Sequence, residues 1–166
     1  MLDLLNRFRR NENGIATVEL AVVTPIFLLM FLSSIELGHM IWYSITVEKG
    51  LRSAVTYAGR IEVHDDITRQ NVKNIVMTGS PTGTAFLVAG WNDPDAQVLF
   101  EEKTYTTTTL TGSGNTVEVV MSVTADVPYV SVVGVIIPAL EYLMRRSMRN
   151  GKLFITLTHQ QAIIGN

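Results

Sequence analysis

Apolar residues form one nearly unbroken block close to the N terminus, then a stripe with steps of three and four, then alternations of period two. The block runs from Ile15 to Ile35 with Glu19 as its only charge. About 20 residues suffice to cross a bilayer as a helix, so the block predicts a membrane helix. Apolar character continues through Met40-Ile41-Trp42-Tyr43, where Trp42 and Tyr43 are placed for an aromatic belt at the far interface. Val47, Leu51, Ala54, Val55, Ala58 and Ile61 then recur at helical spacing. Glu48, Lys49, Arg52 and Arg60 mostly fall on other faces. No proline occurs from Ser44 to Glu62, and Gly50 and Gly59 are the only glycines there. Block and stripe together predict one helix of roughly 45 residues, nearly 70 Å long. Pro25 removes one internal hydrogen bond and predicts a bend or loosening within the membrane.

His64-Asp65-Asp66 marks a break, and Asp65 or Asp66 can cap a second helix. That helix is expected over about Ile67 to Met77, with Ile67, Val72, Ile75 and Val76 as its apolar side. Thr78–Gly83 reads as a loop and Trp91–Pro94 as a turn. Val98–Thr109 is threonine-rich and reads as a strand. Gly112–Asn115 makes a hairpin connection into the clearest strand. Its Val117, Val119, Met121, Val123, Ala125 and Val127 face one way, and Thr116, Glu118, Ser122, Thr124 and Asp126 the other. Pro128 closes it. A third strand is expected over Lys152–Gln161, alternating Leu153, Ile155 and Leu157 with Thr156, Thr158 and Gln160. The fold class is therefore α+β: a long N-terminal transmembrane helix continuing into a small soluble domain with a second helix and an antiparallel sheet of about three strands. Between the last two strands, Val127–Met144 is apolar but too short in its uncharged part to span a bilayer. Two readings stand: a loop with a short helix packed on the domain, or an exposed patch meeting a partner subunit or the membrane surface.

The chain has 166 residues, enough for one anchor and one modest domain. Its division is expected as leader 1–14, transmembrane helix 15–43 and extracytoplasmic head 44–166. Arg7, Arg9 and Arg10 precede the apolar block, so the positive-inside rule places the N terminus in the cytoplasm and the head outside. The block is too long for the core of a secretory signal, and no Ala-x-Ala-like site follows it. A net charge of −2 gives no electrostatic reason to expect nucleic-acid binding. The absence of cysteine excludes disulfides, thiolate zinc sites and cysteine nucleophiles.

Little else in the chain suggests chemistry. His39, His64 and His159 lack metal-ligand spacing, and His39 lies where its polar tip would meet headgroups or water. Glu101 and Glu102 on a strand point to opposite faces and make a poor acid–base pair. The glycines match no phosphate-binding loop, and no nucleophile elbow surrounds a serine. No enzyme activity, cofactor, metal or small-molecule substrate is expected.

Glu19 is the exception. A carboxylate inside a membrane helix costs a few kcal/mol on insertion scales. Two readings of it are open. It snorkels at the cytoplasmic interface, or it meets a cation created by cleavage after Gly14, the new α-amino group of Ile15 one helical turn away. Glu36, about 30 Å further up the helix, likewise either snorkels to headgroups at the outer interface or contacts another helix. Gly38 beside it would let a second helix approach closely.

The basic leader, Gly14, Glu19 and the continuous apolar helix resemble the class III signal of type IV pilins and pseudopilins. More specifically, the segment from Gly14 to Arg60 resembles the TadE-like pseudopilins (TadE and TadF) of tight-adherence, or Flp, pili. The shared points are Ala16-Thr17-Val18-Glu19, Pro25, Glu36-Leu37-Gly38 and Leu51-Arg52-Ser53-Ala54 leading into Ala58-Gly59-Arg60. The resemblance covers the first third of the chain, and the remainder matches only in general layout. It implies a minor pilin or pseudopilin needed for pilus assembly, cut by a prepilin peptidase between Gly14 and Ile15. Glu19, Pro25, Glu36 and Gly38 would then serve assembly and helix packing. Its partners would be the bacterial inner membrane, the peptidase, other pilins or pseudopilins and the assembly platform. The alternative is an unprocessed single-pass adaptor whose extracytoplasmic domain binds other proteins.

Overall fold

A computed structural model describes residues 12–60, 66–108, 115–134 and 148–163. One helix, α1, runs from Glu12 to Ala58, 47 residues in all, or about 70 Å. It passes through Pro25 unbroken. Thr24, Ser33 and Ser34 donate their hydroxyls to the carbonyls of Leu20, Leu29 and Met30 four residues back, which satisfies polar groups in an apolar stretch.

The helix has two different halves. From Ala16 to Ile35 no residue is buried, and Val18, Leu20, Phe27, Met30 and Phe31 all stand free. From Glu36 onward the same helix turns one face into the head. Tyr43, Val47, Leu51, Ala54, Val55 and Ala58 are fully buried, so the three-and-four stripe is the spine of the core. The last position of the expected stripe, Ile61, lies outside the described residues.

Helix α2, Asp66–Thr78, packs beside this stripe. Asp66 opens it, while His64 and Asp65 lie outside the described residues. The helices approach closely at Gly50, where a Cβ would stand 2.5 Å from the Val76 carbonyl oxygen. Thr68, Val72, Ile75 and Val76 form the buried face of α2. Ile67, expected on that face, is 70% exposed. The buried positions follow the helical steps of three and four that start at Thr68, and Ile67 lies one residue, about 100° of helix rotation, off that line.

A 3₁₀ turn, Ala89–Asn92, leads to the sheet. Strands β1 (Gln97–Thr108), β2 (Asn115–Pro128) and β3 (Phe154–Ile163) pair antiparallel in the order β1-β2-β3. The architecture is α+β, a three-stranded sheet laid over α1, with α2 packed on the same helix. Met121, Val123, Ala125 and Val127 of the central strand are buried in the core, as their alternation predicts. Leu153, Ile155 and Leu157 pack against it from the third segment. On the outer face, Thr124 and Thr158 stand opposite each other and hydrogen-bond at 2.9 Å. Asp126, nearly buried, accepts from the Thr156 hydroxyl at 2.8 Å and pairs with Arg149 at 2.8 Å. These partners offset the cost of holding a carboxylate there. The glycines of the expected hairpin, Gly112 and Gly114, lie outside the described residues.

Candidate functional site

The head first touches α1 at Glu36, and polar groups converge there. Glu36 is 4% exposed. The Tyr129 hydroxyl donates to its Oε1 at 2.8 Å, and the Val133 backbone N–H donates to its Oε2 at 3.1 Å. Ser131 supplies a further side-chain hydrogen bond. Because the phenol proton goes to the carboxylate, the phenol oxygen is left to accept from His39 Nδ1, 2.9 Å away. Burial, and after it the hydrogen bond to Glu36, pushes the Tyr129 phenol above its ordinary pKa.

Two helical turns above Glu36, Tyr43 makes the second half of the junction. Its ring is fully buried and meets Tyr129 edge-on at 5.3 Å. Its hydroxyl donates to the Pro128 carbonyl at 2.7 Å and accepts the Gly90 N–H at 3.1 Å. One phenol thereby joins α1, the 3₁₀ turn and the end of β2. Gly90 is required by this closeness. A Cβ there would lie 2.1 Å from both the Tyr43 hydroxyl and the Pro128 oxygen.

A second polar cluster ties the segment before β1 to the turn before β3. Lys152 Nζ reaches Asp93 at 2.7 Å and Asp95 at 2.8 Å. The Lys152 hydrogen bond, then the Asp95 backbone N–H, holds the Asp93 carboxyl below its ordinary pKa. Asp93, then Asp95, raises the Lys152 ammonium above its own. Arg149, already paired with Asp126, also lies 3.8 Å over the Phe154 ring. These contacts close the sheet and offer no open site. Among the described residues, no group of three or more His, Asp or Glu side chains could hold a metal ion.

The structure revises several expectations about the junction. Tyr43 is no aromatic-belt residue, since it is packed under the head, whereas Trp42 next to it is 53% exposed. Successive helix residues point about 100° apart, so only one of the two can face the head. His39 meets Tyr129 rather than headgroups and stacks on Trp42 at 5.6 Å. The Glu36 carboxylate is engaged by a loop of its own chain. Gly38 faces open space, with nothing within 4 Å of a Cβ built on it. Glu19 is exposed on the free half of α1, about 25 Å from Glu36 along the axis. Gly14 lies in the first turns of α1, and nothing is described of the Ile15 side chain. His159, on β3, pairs with Val123 of β2. The apolar segment Val127–Met144, which begins at the end of β2, divides within its described part: Val127, Pro128 and Tyr129 are buried, and Val130 and Val132 are exposed.

Tyr129, Gly90 and Gly50 did not emerge from the sequence. One signal was available for the helix side. The buried stripe at Val47 and Leu51, continued downward in steps of four, three and four, passes through Tyr43, Met40 and Glu36. A polar residue on the buried face of a helix needs a partner from elsewhere. Nothing local names that partner, which is 93 residues away for Glu36.

The chain matches no curated protein and no solved structure. Its α1 residues 14–56, which take in the free half and most of the core stripe, match the model of the TadE-like protein family, and over that segment the chain is similar to TadE-like proteins.

Proposed function

We propose that the protein is a pseudopilin of a tight-adherence pilus apparatus, anchored in the bacterial inner membrane by the free half of α1. The observation that carries this reading is the coincidence of the TadE-like segment, residues 14–56, with a single helix of two distinct halves. Ala16–Ile35 supplies 20 residues, none of them buried and all but Glu19 uncharged, about 30 Å of helix, which equals the hydrocarbon thickness of a bilayer. The remainder is the spine of a folded head. An exposed apolar helix fixed to a compact head is the shape that packing into a filament uses, because helix faces bury against each other while heads coat the outside.

In this reading residues 1–14 are a leader on the cytoplasmic side, and a prepilin peptidase cuts between Gly14 and Ile15. The new Ile15 amine then pairs with Glu19, on its own or a neighbouring chain, at a depth where either charge alone is costly. Gly38, open on the helix surface, is a place for a second helix to approach. The Glu36–Tyr129 junction keeps head and helix in one orientation, so that the helix presents a defined face to other pilins and the assembly platform.

N-terminal mass spectrometry of the membrane-bound protein, made in cells that contain the peptidase, tests the proposal. An N terminus at Ile15 is expected. An intact residue 1–14 segment in a strain that assembles pili would favour an unprocessed adaptor instead.

A further inference from the structure

The base of the head is apolar on the side that faces the free half of α1. Leu87 and Val88, which end the uncharged segment 79–88, and the uncharged loop 129–134 meet the helix where the head begins. With His39 and Trp42 they enclose an open cavity of about 270 Å³, lined by Leu87, Val88, Val130 and Val132. Val132 is 63% exposed, Trp42 53%, Val130 45% and Phe86 41%. Beyond α1 and these loops, only Ile67 and Leu99 are comparably exposed large apolar side chains among the residues whose burial is described. The charges of the neighbouring Asp93, Asp95 and Lys152 are spent on one another.

The hydrogen bonds of Glu36 define the depth of this surface. Tyr129 and Val133 both bind its carboxylate, so residues 129–134 are held at the level of the first residue after Ala16–Ile35. If that segment fills the hydrocarbon layer, Val130 and Val132 fall in the interfacial layer, about 5–8 Å thick on each side. Trp42 lies about 9 Å higher on the axis, and its side chain slopes back toward the helix N terminus. Its ring therefore points down toward the same layer, where tryptophan is favoured.

We infer that the base of the head is a lipid-contact surface: Trp42, Val130 and Val132 seat in the interfacial layer of the outer leaflet, and phospholipid fills the cavity that they line. The inference rests on the membrane anchoring proposed above. It gives Glu36 a second task, since the carboxylate pins the loop that carries Val130 and Val132 at lipid depth. The head of the membrane-held subunit then rests on the bilayer and does not swing freely above it.

Because the chain has no cysteine, single labels can be placed at will. The full-length Val132→Cys, Leu28→Cys and Leu99→Cys variants, each carrying an environment-sensitive nitrobenzoxadiazole dye, are reconstituted into phosphatidylcholine–phosphatidylglycerol vesicles. Spin-labelled lipids quench the dye either near the headgroup or near the end of the acyl chain. The label at residue 132 should emit at shorter wavelength and lose about half its emission to the headgroup-side quencher, as expected for insertion of several ångströms. The label at residue 28 should respond to the deep quencher, and that at residue 99 to neither. Quenching at residue 28 without quenching at residue 132 overturns the lipid-contact surface and leaves the anchor intact. No quenching at residue 28 overturns the anchor itself. A residue-132 signal that ignores both lipids and changes with the protein-to-lipid ratio identifies a second copy as the occupant, and also overturns the inference.

Discussion

The Tyr43 hydroxyl is the smallest group whose removal should loosen the helix from the head. Tyr43→Phe keeps the buried ring and its edge-on contact with Tyr129, so one oxygen is the whole perturbation. That oxygen donates to the Pro128 carbonyl at 2.7 Å and accepts from the Gly90 N–H at 3.1 Å. Both partners are backbone groups of buried residues, and neither has an alternative at this site once the phenol oxygen is gone. A buried polar group stranded by such a deletion costs about 1–3 kcal/mol. Two of them, with some local relaxation, give roughly 2–4 kcal/mol, a large share of the 5–15 kcal/mol typical of a domain. Urea unfolding of the full-length protein in detergent micelles, followed by far-ultraviolet circular dichroism, reads this directly. With a slope near 2 kcal/mol/M the midpoint should fall by about 1–2 M at unchanged slope. The Gly90 amide should also exchange its hydrogen faster than in the wild type. A midpoint shift below about 0.3 M would mean that the bridge between α1, the 3₁₀ turn and β2 contributes little, and that apolar packing alone holds the junction.

Four further outcomes are expected. Gly50→Ala should destabilise the head by about 1 kcal/mol, because overpacking against the Val76 carbonyl at 2.5 Å costs about 1–3 kcal/mol and better helix propensity returns about 1; a higher melting temperature would show that α2 yields freely. The Lys152 cluster should contribute stability over a pH plateau of about 5 to 9. The depressed Asp93 loses its contribution as pH falls through its folded-state pKa, and the raised Lys152 loses its own as pH rises through its folded-state pKa; a Lys152→Met variant whose stability deficit is the same at every pH would contradict this. Gly14→Val should block processing by steric exclusion at the peptidase and leave a membrane-bound protein longer by the leader, and equal gel mobility with the wild type would place the cut elsewhere or nowhere. Glu19→Val should insert in the membrane at least as well as the wild type yet fail to support piliation at matched protein levels; normal piliation would reduce Glu19 to a tolerated interfacial residue.

Periodicity alone determined a good part of this protein. The α1 helix, its core stripe from Val47 to Ala58, the inward alternation of Met121 to Val127 and the three strands follow from spacing. Each is a local pattern repeated often enough to outweigh single exceptions. The apolar block of α1 was legible for the same reason, since a bare stretch of that length has few other uses. Spacing does not resolve a phase difference of one residue. Ile67 and Tyr43 take surroundings that spacing does not predict, because a helix has no hard edge between faces, and one step of about 100° decides the matter.

Only the tertiary structure decided what Glu36, His39 and Tyr43 do. Their partners come from Gly90, Pro128, Tyr129 and Val133, residues brought close by the path of β2 and by no pattern in the chain. Gly50 and Gly90 belong with them. A glycine in the sequence says that a close approach is permitted, and the fold alone says which carbonyl approaches. Local periodicity records which side of an element avoids water, because that preference is paid residue by residue. Pairings between distant groups depend on how whole elements are placed against each other, and their geometry exists only after the chain has folded.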